Sequence, residues 1–266
     1  MTTLGVILLI ASLVVGMNSL VSGSLRRSTA VRDNLQIDLA TDTSMDLAKA
    51  ILLGNLTLSA TDDQRIAFDG TLIRCQLFDG ALSVLSLQDV AGLIDLRFAA
   101  DEVLGSLISV FSPQDGDLKT VSKVKQLAAS GRFISAGDVL IAAGLDRKTA
   151  DWLAGFTTIH GRGSRLARAV TPPGLQDVLS RSGLNEANLY GAGPSNALYR
   201  VEVFLKTARG RETYGISLFS LDPSKTPIFR KIFEKRLPHA AGQGSKAFDG
   251  MTGASSRGVS CRYLGR

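Results

Sequence analysis

The chain has 266 residues, enough for one large domain or a domain with an added module, and is 45% hydrophobic with a mean hydropathy of +0.16. The apolar excess is concentrated at the N-terminus, which excludes several membrane spans. A net charge of +6 and a pI near 9.5 suit an anionic membrane surface, nucleic acid or an acidic protein, and single out none of them.

No side chain is charged before Arg26, and the main apolar run is Val6–Met17, with Ser12 and Gly16 inside it. A spanning helix needs about 20 predominantly apolar residues, so the segment 6–25 is a marginal span. Three readings are open. Val21-Ser22-Gly23 suits signal-peptide cleavage, although the basic front region of such peptides is missing. A permanent anchor that obeys the positive-inside rule keeps Arg26 and Arg27 in the cytoplasm. Gly5 stands immediately before the apolar run, where cutting a prepilin-type leader would leave Val6 as the first residue.

From Arg27 to Leu58 there is no proline, and Val31, Leu35, Leu39, then Met45, Ala48 and Leu52 recur at spacings of three and four. Arg32, Asp38, Asp42, Asp46 and Lys49 lie among them, which predicts an amphipathic helix running on from the apolar segment. A cleaved signal has no need of such a continuation, whereas a pilin-like subunit does.

Between residues 64 and 96 the pattern turns to short β-type runs. RIAF, TLIRCQLF and ALSVLSLQDV are separated by Asp69-Gly70 and Asp79-Gly80, which predicts a meander with two Asp-Gly turns. From Phe98 the text becomes helical: ADEVLGSLISVF, DLKTVSKVKQLAAS, SAGDVLIAAG, RKTADWLAG and GLQDVLSRSG are short runs broken by Gly, Pro or Asp-Gly. They predict a compact all-α module similar to helix-hairpin-helix or SAM-type packing. Strands return with YRVEVFL, where Tyr199, Val201, Val203 and Leu205 share a face, and YGISLFS, where Tyr214, Ile216 and Leu218 share one.

Helices lying between two parts of one sheet are most simply an insertion into an α+β domain. Cys75 and Cys261, the two cysteines of the chain, then both belong to the host domain and can form one disulfide in an oxidising compartment; two buried thiols are the alternative. The Gly/Ser-rich tail from His239 is expected to be flexible.

Four stretches, in order, carry a resemblance to a known family. Gly5 precedes an apolar segment followed by a basic, polar helix. LQDVAGLIDLRFAADEVLGSLI supplies Asp89, Gly92, Ile94, Asp95 and Leu96, with Arg97 where the family usually has asparagine. GRFISAGDVLIAAGLDRKTADWLAGFTTIHG supplies Phe133, Ser135, Leu140, Gly144 and Thr158-Ile159-His160-Gly161, and VTPPGLQDVL starts at Val170. On these motifs the chain resembles the minor pseudopilins of type II secretion, the general secretion pathway protein K family.

The resemblance implies a pilin-like α+β fold with a long N-terminal helix packed on an antiparallel sheet and an inserted all-α domain. The expected parts are a leader at 1–5, a transmembrane segment at 6–25, host domain at 26–97, inserted domain at 98–194, and host domain with the flexible tail at 195–266. It implies a single-pass inner-membrane protein with its globular part in the periplasm, a prepilin peptidase as processing partner and other minor pseudopilins as assembly partners. Cutting after Gly5 exposes the Val6 amine, which the family implies is N-methylated and still cationic, a charge that needs a partner in a low-dielectric setting. Ordinary pseudopilins supply a glutamate at the fifth mature position; here that position is Ile10, which suits the first place in a fibre. The family's calcium-associated acidic loop is reduced to SPQDGDLKTVSK, where Asp115 and Asp117 are two carboxylates for a cation that takes six to eight oxygens. A solvated turn is the expectation, with no cofactor.

Two other functions are weighed. An enzyme finds little here: the histidines are His160 and His239, HExxH and GxSxG are absent, and Gly191-Ala192-Gly193-Pro194 lacks the third glycine of a dinucleotide loop. An exported or membrane-anchored helix-hairpin-helix protein binding nucleic acid would use Arg162, Arg165 and Arg168, spaced at threes; nucleic acid is not the expected partner.

Overall fold

One helix, α1 (Thr2–Thr57), opens the chain, as a proline-free run with a helical period requires. The computed structural model describes residues 2–58, 66–77, 81–113, 116–161, 163–184, 186–191, 197–207, 210–222, 224–238 and 261–262. The chain divides into two units, Met1–Thr43 and Ser44–Arg266.

In the second unit the last turns of α1 place Met45, Ala48 and Leu52 against one face of a sheet. Its strands are β1 (Asp69–Gln76), β2 (Leu82–Asp89), β5 (Leu198–Lys206), β6 (Glu212–Leu221), β7 (Phe229–Pro238) and β8 (Cys261–Arg262). Their order is β7-β6-β5-β2-β1-β8; the first five are antiparallel neighbours, and β8 runs parallel to β1. Ile73, Leu85, Leu87, Val201, Val203 and Phe219 complete the core beneath α1, the odd-numbered residues of β5 facing the helix as period two dictates. Tyr214, Ile216 and Leu218 share the opposite face of β6, where Leu218 packs with Val90, Leu198 and Phe233.

Of the expected strand RIAF, Ile66, Ala67 and Phe68 are not in a strand, and Arg65 lies outside the described residues. The Asn55 amide takes both polar groups of the Ile66 backbone, donating from Nδ2 to its carbonyl at 2.6 Å and accepting from its N–H at 3.2 Å, so the run is tied to the end of α1. Asp69-Gly70 is accordingly a bulge at the start of β1 rather than a hairpin turn. Gly70 has φ +83°, and the register moves from Asp69↔Gln88 to Leu72↔Ser86, one residue longer on β1. The other Asp-Gly, at 79–80, lies outside the described residues. The tail expected to be flexible returns to the sheet at Cys261–Arg262.

Between β2 and β5 in sequence come β3 (Ile94–Asp95), α2 (Asp101–Phe111), α3 (Leu118–Ala129), α4 (Ala136–Ala143), α5 (Arg147–Ala154), β4 (Thr157–Thr158), α6 (Pro173–Arg181) and α7 (Glu186–Leu189). Their starts are chemically marked: Asp117, Ser135 and Asp146 accept from backbone N–H groups of α3, α4 and α5, and Pro173 opens α6. Gly144, at φ +109°, ends α4 where a side chain would be strained. These helices bury Leu104, Leu107, Val124, Leu140, Leu153 and Leu175 in a core of their own.

Arg200 fastens that core to the sheet. On β5 it points away from α1 and donates from Nη1 to the Ala154 carbonyl at 3.0 Å and from Nη2 to that of Gly155, at the C-terminal end of α5. The positive group meets the negative pole of the helix and its unsatisfied carbonyls. Its Nε lies 3.0 Å from Glu202 Oε1, out of line for a hydrogen bond, so this contact is Coulombic. Nearby, burial holds the Tyr214 hydroxyl protonated well above its ordinary range, with Glu202 adding to the effect. Arg200→Met should destabilise the chain by about 3 kcal/mol, since it removes the cation beside Glu202 and orphans two helix-end carbonyls; urea unfolding measures the loss.

Candidate assembly face and the joint beside the sheet

The first unit is helical through its described residues, and it carries an exposed apolar stripe. Met17, Val21, Leu25, Val31, Leu35 and Leu39 are each more than half exposed. At 100° per residue they fall within an arc of about 120° on the helix surface. Arg26, Arg27, Arg32, Asp33 and Asp38 are interspersed with them in sequence, so the first unit presents an apolar ribbon on a charged rod. Gly5, Val6 and Ile10 belong to α1, with side chains outside the described residues. Among the described residues, no helix is long and apolar enough to cross a membrane.

The second candidate is a joint where the helices meet the sheet. β3 and β4 pair in parallel, Ile94↔Thr157 and Asp95↔Thr158, bringing together two stretches far apart in sequence. Asp95 has 1% of its side chain exposed, and Arg97 neutralises it through Nη2 at 3.0 Å, Nε at 3.2 Å and its own backbone N–H at 2.8 Å. Nη2 also donates to the Gly161 carbonyl. A Cβ on Gly161 would stand 2.7 Å from Asp95 Oδ2, so the residue must be glycine for the carboxylate to fit.

A third stretch closes the joint. Gln88 Nε2 donates to the Val170 carbonyl at 2.8 Å, and a Cβ on Gly92 would meet that same oxygen at 2.0 Å. Asp89 accepts from Ala91 N–H at 2.8 Å and shapes the 3₁₀ turn Val90–Gly92, while burial raises its carboxyl above the usual range. Arg97 therefore has a defined role, in which a guanidinium compensates a buried carboxylate while spanning to Gly161.

The remaining predicted residues are dispersed. Cys75 is buried on β1, and the register sets Cys261 of β8 directly beside it. Asp117 caps α3 by accepting from Thr120 N–H at 2.8 Å, which lowers its carboxyl below the ordinary value; Asp115 lies outside the described residues. That oxygen is already committed, and among the described residues no group of three or more His, Cys, Asp or Glu side chains is placed to hold a metal ion. His160 follows β4, its Nε2 3.1 Å from the Ile134 carbonyl, and His239 is outside the described residues. Arg168 pairs with Glu186 and stacks on Tyr190 at 4.6 Å; Arg165 is exposed, and Arg162 is outside the described residues.

Sequence reading missed Arg200 and all of β7. The usable signal for Arg200 was its place among the outward residues of YRVEVFL. In β7, a bulge between Lys231 and Phe233 and four basic residues conceal the alternation.

These features define an α+β protein with a long N-terminal helix and a five-stranded antiparallel sheet edged by a short parallel strand. No protein-family model matches the chain, and no curated protein is significantly similar to it.

The joint makes a double-mutant prediction. Arg97→Met leaves Asp95 as a buried unpaired charge and should cost about 3–5 kcal/mol, and adding Asp95→Asn should return a large part of it. Additive losses in chemical denaturation would show that the pair is not coupled.

Proposed function

We propose that the protein is a minor pseudopilin of a type II secretion system, of the general secretion pathway protein K family. It caps the tip of the pseudopilus and helps nucleate its assembly for protein export across the outer membrane. The exposed apolar stripe of α1 carries this reading: its part beyond the membrane pass, Val31, Leu35 and Leu39, gains by being covered, and helices of companion subunits suit its period.

In this reading, residues 1–5 are a leader removed by a prepilin peptidase, 6–25 form the single inner-membrane pass and the rest lies in the periplasm. The N-methylated Val6 amine is cationic, and Ile10 offers no carboxylate to a subunit ahead, so nothing precedes this chain in the fibre. The helices between β2 and β5 are a domain inserted into a pilin-like α+β host, supported by the direct pairing of those two strands. Such bulk is easier to place at an end than midway. The nucleic-acid alternative is weakened by Arg168, whose guanidinium is already engaged.

The mature chain should begin at N-methylated Val6 by mass spectrometry, and the full chain should co-purify with the other minor pseudopilins of its genome. Leu35→Glu together with Leu39→Glu should abolish that co-purification without altering the unfolding transition of the second unit. A mature start near Ser24, or undiminished co-purification of the double variant, contradicts the proposal.

Cys75 and Cys261 form a disulfide in this compartment. Neighbouring strands lie roughly 4.7–4.9 Å apart, inside the Cα separation of about 4.4–6.8 Å that a disulfide requires. Alkylation of the denatured chain should label neither thiol until reductant is added; labelling without reductant rules the bond out.

A further inference from the structure

An open groove of about 890 Å³ runs between the joint and the start of β7. Arg97 reaches it from one segment and Lys225 and Arg230 from another, against one carboxylate, Asp222. Arg97 is held by Asp95, and Lys225 by Asp222 at 3.0 Å. Arg230 is exposed and has no carboxylate partner among the described residues. The hydrogen bonds from Ser224 and Lys225 hold Asp222 ionised, with a pKa of about 2.

The same groove exposes large apolar groups. Phe98 lies under the Arg97 guanidinium at 4.9 Å and is half exposed, and Ile228 and Ile232 line the same groove. Ile232 is the residue left over at the β6–β7 bulge, where Leu218 pairs with Phe233 and Phe219 with Lys231. Bulges re-aim side chains, and this one exposes an isoleucine in the groove. Basic residues alone would serve to blunt the free edge of β7. That purpose does not explain the partly exposed Phe98, Ile228 and Ile232 beside them, because clustered exposed apolar groups mark interaction surfaces.

We infer that this groove is a docking site for an acidic linear segment of a partner protein, one that places a bulky apolar side chain between Phe98, Ile228 and Ile232 and a carboxylate against Arg230. The volume suits a short peptide. A polyanion such as nucleic acid fits less well, since two of the three cations are already paired and the floor is apolar. The inference rests on the second unit alone and stands independently of the tip-capping reading.

The test pans a display library of short random peptides on the full chain in detergent, then measures selected peptides by fluorescence polarisation. Enriched peptides should combine Asp or Glu with Leu, Ile or Phe. Their affinity should fall about tenfold with Arg230→Glu and by a similar factor with Ile232→Ser, two exposed positions whose variants should keep the parent melting temperature. Lys225→Glu supplies a second charge variant should Arg230→Glu not fold. Overturning results are no enrichment, enrichment without acidic excess, affinities unmoved by the groove variants, tighter binding of a single-stranded oligonucleotide at the same site, or self-association of the chain that Ile232→Ser abolishes.

Discussion

A single arginine on β5 links the two cores of the folded unit. The sheet packs beneath α1, the helices pack among themselves, and Arg200 carries positive charge from the first to the exposed carbonyl end of α5. Helix ends leave backbone acceptors that must be satisfied somewhere. Here they are satisfied by the neighbouring core, so the attachment is directional: a guanidinium fork accepts one approach and resists rotation. Gln88 of β2, which donates from Nε2 to the Val170 carbonyl, adds a second fixed point between the sheet and the helices. Two separated polar anchors, each partly shielded from water, orient the helices in a way that a greasy contact alone would not.

Much of this was legible in the chain. The long helix followed from an unbroken run without proline, and four of the helices between the sheet halves announced their ends through Asp117, Ser135, Gly144, Asp146 and Pro173. Local punctuation of this kind acts through neighbouring backbone groups, so sequence alone carries it. What required the structure was non-local. Asn55 capturing Ile66 removes a strand that its own residues would favour, and Asp69-Gly70 is as suitable for a bulge as for a turn.

The joint was legible as positions and illegible as chemistry. Asp89, Gly92 and Asp95 stand far from Gly161 and Val170 in the text, and the structure brings the two groups to one place, where they supply a cap, two close approaches and a buried ion pair. The groove was invisible because its defining residues include Ile232, whose outward placement comes from a miscount between two strands. An apolar residue in a charged strand reads as noise until the register is known.

The pairing of β2 with β5 also sets a schedule. Asp89 meets Tyr199 across the ladder, and every residue between them must be synthesised before that contact can form. Closing a flexible loop of such length costs roughly 4 kcal/mol in chain entropy, before any constant term. If the intervening helices collapse first on their own core, β3 and β4 are zipped together and most of that loop is already closed. The β1–β2 hairpin meanwhile waits with an open edge, the state in which strands recruit wrong partners. In that order of events the largely local helical core shortens the time for which an incomplete sheet is available to misassembly.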